Sequence, residues 1–112
     1  MAEMQRYKIF YTQTAVKDLE DKADYISFQL QDPALAQKWY LRLRNLIQDG
    51  LTTFPLKYPL YDMEPWKEKG IRLFLTRGDV VLYSVDLEKQ AVYIRGVCTK
   101  GRDLSAHLEE TE

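Results

Sequence analysis

The chain has 112 residues, 46% hydrophobic and 29% charged; this sets aside disorder and fits one domain that buries about two-thirds of its surface without metal or disulfide staples. Sixteen Lys and Arg against seventeen Asp and Glu leave a net charge of -1, which gives no support to a protein that coats nucleic acid or membrane by charge alone. One cysteine, Cys98, and one histidine, His107, exclude an intramolecular disulfide and a Cys/His zinc site, so no cofactor is expected.

Tyr7–Tyr11 is short, aromatic and β-prone, and is predicted as a strand. Thr12 or Thr14 then caps a helix by accepting a backbone N–H bond. Ala15, Leu19, Ala23, Ile26 and Leu30 step by four, four, three and four residues, which is one helical face. Lys17, Asp21 and Asp24 occupy the opposite, watered face. Asp32-Pro33 starts a second helix, with Asp as N-cap and Pro at the first helical position. Its stripe is Ala36, Tyr40, Leu43 and Ile47, flanked by Trp39 and Leu46, and Gly50 is the expected stop. The short connection makes the two helices an antiparallel hairpin.

Residues 51–66 contain Phe54-Pro55, Tyr58-Pro59 and Glu64-Pro65. Each proline lacks a donor and restricts its predecessor, so a long irregular loop is expected. Gly70–Thr76 alternates, with Ile71, Leu73 and Leu75 on one face and Arg72, Phe74 and Thr76 on the other. Turns at Arg77-Gly78-Asp79 and Asp86–Gln90 separate it from strands at Val80–Val85 and Ala91–Cys98. These three strands form an antiparallel meander. A short helix capped by Asp103 closes the chain over Asp103–Glu109. The expected fold is a single two-layer α+β domain over residues 1–112, with its core at about 7–108 and an acidic tail at 109–112. The N-terminal strand and the helical hairpin pack on the meander, and the other sheet face is left partly open.

Charge is uneven along this layout. Residues 65–102 hold eight basic and four acidic side chains, whereas 103–112 hold four acidic and no Lys or Arg. A basic segment followed by an acidic tail thus hides behind the neutral total. The apolar runs fall far short of the roughly 18 residues of a membrane span. Met1–Arg6 has no apolar signal core, so a reduced, cytoplasmic protein with no membrane contact is expected.

The order of elements resembles the RelE/ParE superfamily of toxins from type II toxin–antitoxin modules, over about residues 7–108. The residues that carry the resemblance are Tyr7–Tyr11, then Ala15, Leu19 and Ile26, then Ala36, Leu43 and Ile47, then Phe54-Pro55 and Tyr58-Pro59. They continue with Arg72, Gly78, Tyr83-Ser84-Val85, Val92-Tyr93-Ile94 and Lys100-Gly101-Arg102-Asp103. The resemblance implies a small toxin held inactive by a cognate antitoxin whose extended tail wraps it, with DNA contact only indirectly through the antitoxin. RelE-like members cut mRNA on the ribosome; ParE-like members inhibit DNA gyrase by binding. Fold alone does not choose between them.

Metal-free RNA cleavage needs a base, cations around the phosphate and an acid for the leaving oxygen. The resemblance offers Arg72, Lys100, Arg102 and His107 for that chemistry, if the chain is a ribonuclease. Arg72, Tyr83, Tyr93 and Arg95 are the expected antitoxin- or target-binding residues. Alternation places Arg95 with Tyr93 and Val97 on one face. Two departures favour the ParE branch. Asp79-Val80 stands where an aromatic-basic pair is common in the family, and Leu75 where a catalytic Arg is expected, with Arg77 only nearby in the turn. A total of -1 also suits a protein target better than the phosphate array of a ribosome. A third reading is a domain of this fold that is inactive and only binds. Trp39, Trp66 and the eight Tyr are expected in the core or at interfaces. Cys98 is expected as a small buried hydrophobe.

Overall fold

A computed structural model describes residues 6–101 and 103–111. Strand β1 (Lys8–Tyr11) leads into helix α1 (Gln13–Asp24), which continues as a π-helical turn over Tyr25–Gln29. Helix α2 (Pro33–Leu51) returns antiparallel, and a 3-10 turn at Pro55–Lys57 opens the proline-rich loop. Strands β2 (Arg72–Leu75), β3 (Asp79–Asp86) and β4 (Ala91–Thr99) form the meander, and α3 (Leu104–Thr111) closes the chain. No helix among the described residues is long and apolar enough to cross a membrane.

The predicted caps of both hairpin helices form. Thr12 Oγ1 accepts from the Ala15 N–H at 3.2 Å, and Asp32 Oδ1 from the Leu35 N–H at 3.0 Å. Each such cap typically stabilises a helix by about 1 kcal/mol. The meander is antiparallel as expected, but the sheet is mixed: β1 pairs parallel with β4, giving the order β1-β4-β3-β2. A parallel pair cannot be joined by a hairpin. The helical hairpin and the first two meander strands together supply the long crossover.

The hairpin covers one sheet face. Ala15, Leu19, Ile26, Leu43 and Ile47 pack there against Phe74, Val81, Tyr83, Val92 and Ile94. Three details depart from the sequence reading. Leu30 is exposed, because the Leu30 N–H bonds the Tyr25 carbonyl five residues back. That i→i−5 bond adds a residue to the turn and rotates Leu30 off the core face. Tyr40 is only half-buried, while Trp39 and Leu51 are buried. Gly50 does not stop α2 but lies within it: a Cβ there would sit 2.9 Å from the Phe74 ring, so glycine lets β2 approach the helix.

The opposite face is covered at one end only. Leu108 of α3, Trp66 and Ile71 bury Val80, Leu82 and Cys98. Leu75, expected on this face with Ile71 and Leu73, is exposed at 59%. Asp103 caps α3, accepting from the Ala106 N–H at 3.2 Å.

Candidate functional site

Helix α1 runs parallel to β4 and overshoots the end of the sheet. Strand β1 stops at Tyr11, so beyond Ile94 the outer edge of β4 has no strand neighbour. A bare edge would leave backbone groups unsatisfied, and polar side chains of α1 and its cap take over. Thr12 Oγ1 donates to the Arg95 carbonyl at 3.5 Å, and Asp18 Oδ2 accepts the Val97 N–H at 2.9 Å. The same Asp18 oxygen meets His107 Nε2 of α3 at 2.8 Å. Gly96 makes room for this junction, since a Cβ would lie 3.2 Å from the His107 ring.

One turn further along α1, Lys22 reaches the start of β3. Its ammonium bonds Asp79 Oδ1, and donates to Thr99 Oγ1 at 3.2 Å. The other Asp79 oxygen accepts from Trp39 Nε1 of α2 at 2.9 Å. The ammonium also lies 5.2 Å from the Trp39 ring centre. Asp79 is only 2% exposed, so a buried carboxylate joins both hairpin helices to the β2–β3 turn.

Above these two junctions opens a groove of about 1390 Å³ between the overhanging hairpin and the end of β4. Its walls carry Lys38 and Arg42 of α2, Tyr25 and Leu30 of the turn, Lys100 after β4, and His107.

The residues singled out from the sequence do not gather in one place. Lys100 and His107 line the groove. Arg72 and Tyr83 lie on the hairpin-covered face with Phe74. Arg72 Nη1 donates to the carbonyls of Tyr58 at 2.6 Å and Leu56 at 3.3 Å, and the Tyr83 hydroxyl donates to the Pro55 carbonyl at 2.6 Å. Together they anchor the proline-rich loop. Tyr93 stacks on Phe10 across β1–β4, ring centres 5.5 Å apart, and Arg95 Nε donates to Ser84 Oγ at 2.8 Å on that open face. Val97 does not share it: a register shift opposite Leu82/Tyr83 makes Arg95 the extra residue of a bulge and turns Val97 into the hairpin-side core. Arg102 lies outside the described residues. Trp66 and Cys98 are buried.

Asp18, Lys22, Trp39 and Asp79 organise the groove, and sequence reasoning missed all but Trp39, which it expected in the core or at an interface. Asp79 carried a signal: a carboxylate opening the apolar run Val80-Val81-Leu82 is placed for burial, and a buried carboxylate requires a partner.

Burial pushes the Tyr83 phenol above its usual value of about 10, against the nearby Arg72 charge, and burial likewise raises Tyr11. Raised folded-state values mean that the unfolded chain ionises first. These two phenols therefore leave stability intact below about pH 10 and erode it as pH rises further. Tyr83→Phe is expected to flatten the alkaline limb of a thermal-melting profile; an unchanged limb would assign it to other groups.

The model of the ParE toxin of the type II toxin–antitoxin system parDE matches residues 9–104. Among solved structures, the chain is similar to one in the RelBE2 toxin–antitoxin complex of Mycobacterium tuberculosis. The TM-score is 0.67 at 19% identity, covering 91% of this chain and 100% of that one. It is also similar to a chain of the chromosomal ParDE toxin–antitoxin system of P. aeruginosa. That TM-score is 0.67 at 17% identity, covering 83% of this chain and 95% of that one. A sequence search of curated proteins finds no match. The two structural neighbours agree in fold, and with the family model spanning nearly all of β1 through the start of α3, this chain belongs to the ParE toxin family of type II toxin–antitoxin systems.

Proposed function

We propose that this toxin arrests growth by binding a protein target such as DNA gyrase, and that a cognate antitoxin neutralises it. The observation that carries this reading is the commitment of Arg72. Its guanidinium is used on two loop carbonyls on the hairpin-covered face, separate from the Lys100 and His107 groove. Of the cations singled out from the sequence for a scissile phosphate, Arg72 is thus held apart from Lys100. Both structural neighbours belong to toxin–antitoxin systems, which supports the same kind of partner here.

Induced expression is expected to halt growth, and co-expression of the antitoxin encoded beside the gene to restore it. Purified toxin is expected to block gyrase supercoiling. Untouched gyrase together with cleavage of ribosome-bound mRNA would replace this reading by the endonuclease one, which the shared groove position of Lys100 and His107 favours. In that case His107→Ala should abolish cleavage. Expression without any growth defect would leave a binding module of the same fold.

A further inference from the structure

The joint between α3 and the proline-rich loop is built around a thioether. Met63 is the one methionine among the described residues, and it is 48% exposed. Its sulfur accepts from Ser105 Oγ of α3 at 2.7 Å and from the Tyr61 hydroxyl at 3.5 Å. The two hydroxyls also meet each other at 2.9 Å. Three polar groups from two distant segments of the chain thus close a triangle.

The loop side of this triangle is fixed. The Met63 N–H donates to the Tyr61 carbonyl at 2.8 Å, and the Met63 carbonyl accepts the Lys67 N–H at 3.0 Å. The Tyr61 N–H in turn donates to the Ile71 carbonyl at 2.8 Å. The other side is an eight-residue helix, too short to hold together in water without its docking contacts. A change at the sulfur is therefore absorbed by α3 rather than by the loop.

A thioether is a weak hydrogen-bond acceptor and a good nucleophile towards peroxides. The exposure of Met63 leaves it open to a small oxidant, whereas the Cys98 thiol is only 4% exposed behind α3. We propose that Met63 is an oxidation site, and that its conversion to the sulfoxide by hydrogen peroxide loosens α3 from the loop. A sulfur lone pair attacks one peroxide oxygen, and the S–O bond forms as the O–O bond breaks. The second oxygen leaves as water after taking up the proton of the first. Sulfur gives up two electrons and the peroxide gains them. The new oxygen has no room between Met63 Sδ and Ser105 Oγ, which are 2.7 Å apart. On the outer side of the sulfur it withdraws electron density, so the sulfur no longer accepts from Ser105, and the apolar side chain becomes polar. A methionine sulfoxide reductase removes the oxygen and restores the joint. His107 travels with α3, so the groove wall loosens with it.

The test uses the full-length chain treated with hydrogen peroxide. Mass spectrometry locates the added oxygen, and hydrogen exchange follows the amides of α3 and of the sheet. Exchange in α3 is expected to accelerate by about 10-fold, as the loss of one or two net hydrogen bonds requires, while β3 and β4 keep their protection. Sulfoxide reductase should return the α3 rate to its starting value. Met63→Gln, which places a polar oxygen-bearing chain at the same position, should give the fast rate without oxidant. Met63→Leu keeps Met1, Met4 and Cys98, and its α3 rate should not respond to peroxide. Thermal melting checks that both variants fold. Oxygen found at Met63 with an unchanged or slower α3 rate overturns the proposal. So does a Met63 that stays reduced while Cys98 is oxidised, and so does a Met63→Leu variant that responds to peroxide as the wild type does.

Discussion

Replacing Asp79 by alanine is expected to destabilise the domain by about 3 kcal/mol, measured by urea unfolding. The carboxylate is only 2% exposed and uses both oxygens, one on the Lys22 ammonium and one on the Trp39 N–H. Alanine strips both donors at once. A buried indole N–H without a partner costs about 1–3 kcal/mol. The stranded ammonium adds less than a fully buried one, because the Lys22 side chain keeps 25% of its surface in water. This exposure places the sum at the low end of the range for breaking a buried pair. The double variant Lys22→Met/Asp79→Asn removes both charges and keeps an acceptor for Trp39, so it should regain at least half of the loss. A loss below about 1 kcal/mol for Asp79→Ala would mean that the cluster is a surface pair in effect. The consequence reaches the groove. Without this junction the two helices of the hairpin are no longer tied to the β2–β3 turn, so the groove walls lose a buried support.

The elements that local chemistry specifies were legible in the sequence. Thr12, Asp32-Pro33 and Asp103 announce helix starts through their own side chains. The alternation around Phe74 and Tyr83 announces strands through its period of two. What the sequence hid are the places where distant elements meet. The π-helical turn at Tyr25–Gln29 changes the helical phase by one residue, and so Leu30, in perfect α-register on paper, ends up facing water. The bulge at Arg95 depends on pairing with β3, and it reverses the face of Val97. Gly50 looked like a helix stop because glycine usually is one; its role depends on a phenyl ring 24 residues away. Asp18 and Asp79 looked like ordinary charges because their partners, Val97, His107, Lys22 and Trp39, lie 40 to 89 residues distant in the chain. Candidate residues read by resemblance fared accordingly: Arg72 and Tyr83 proved to be paired with loop carbonyls, a geometry that only the folded proline-rich loop reveals.

Leu108→Ala is expected to release α3 without melting the domain, and to raise the labelling rate of the Cys98 thiol by about 100-fold. Leu108 is fully buried against Val80, Leu82 and Cys98, and truncating such a leucine typically costs about 2–5 kcal/mol. The cost falls on α3 because the helix has eight residues, too few to hold together in water without its docking face. Its remaining ties among the described residues include Ser105 Oγ with the Tyr61 hydroxyl at 2.9 Å and with Met63 Sδ at 2.7 Å, the His107–Asp18 bond and partial packing of Leu104, the polar ones each worth about 1 kcal/mol net. They do not outweigh the lost anchor. The hairpin-side core contains none of these residues, so global unfolding in urea should shift by less than the labelling free energy. About 3 kcal/mol of local opening corresponds to about 100-fold in the exposed population, and Cys98, 4% exposed behind α3, reports that population directly. Equal changes in labelling and in global stability would show instead that α3 belongs to one cooperative unit with the sheet. The distinction matters for the groove, because among the described residues His107 is the one that α3 contributes to its lining. An α3 that opens alone would remove His107 from the wall while leaving Lys38 and Arg42 in place on α2.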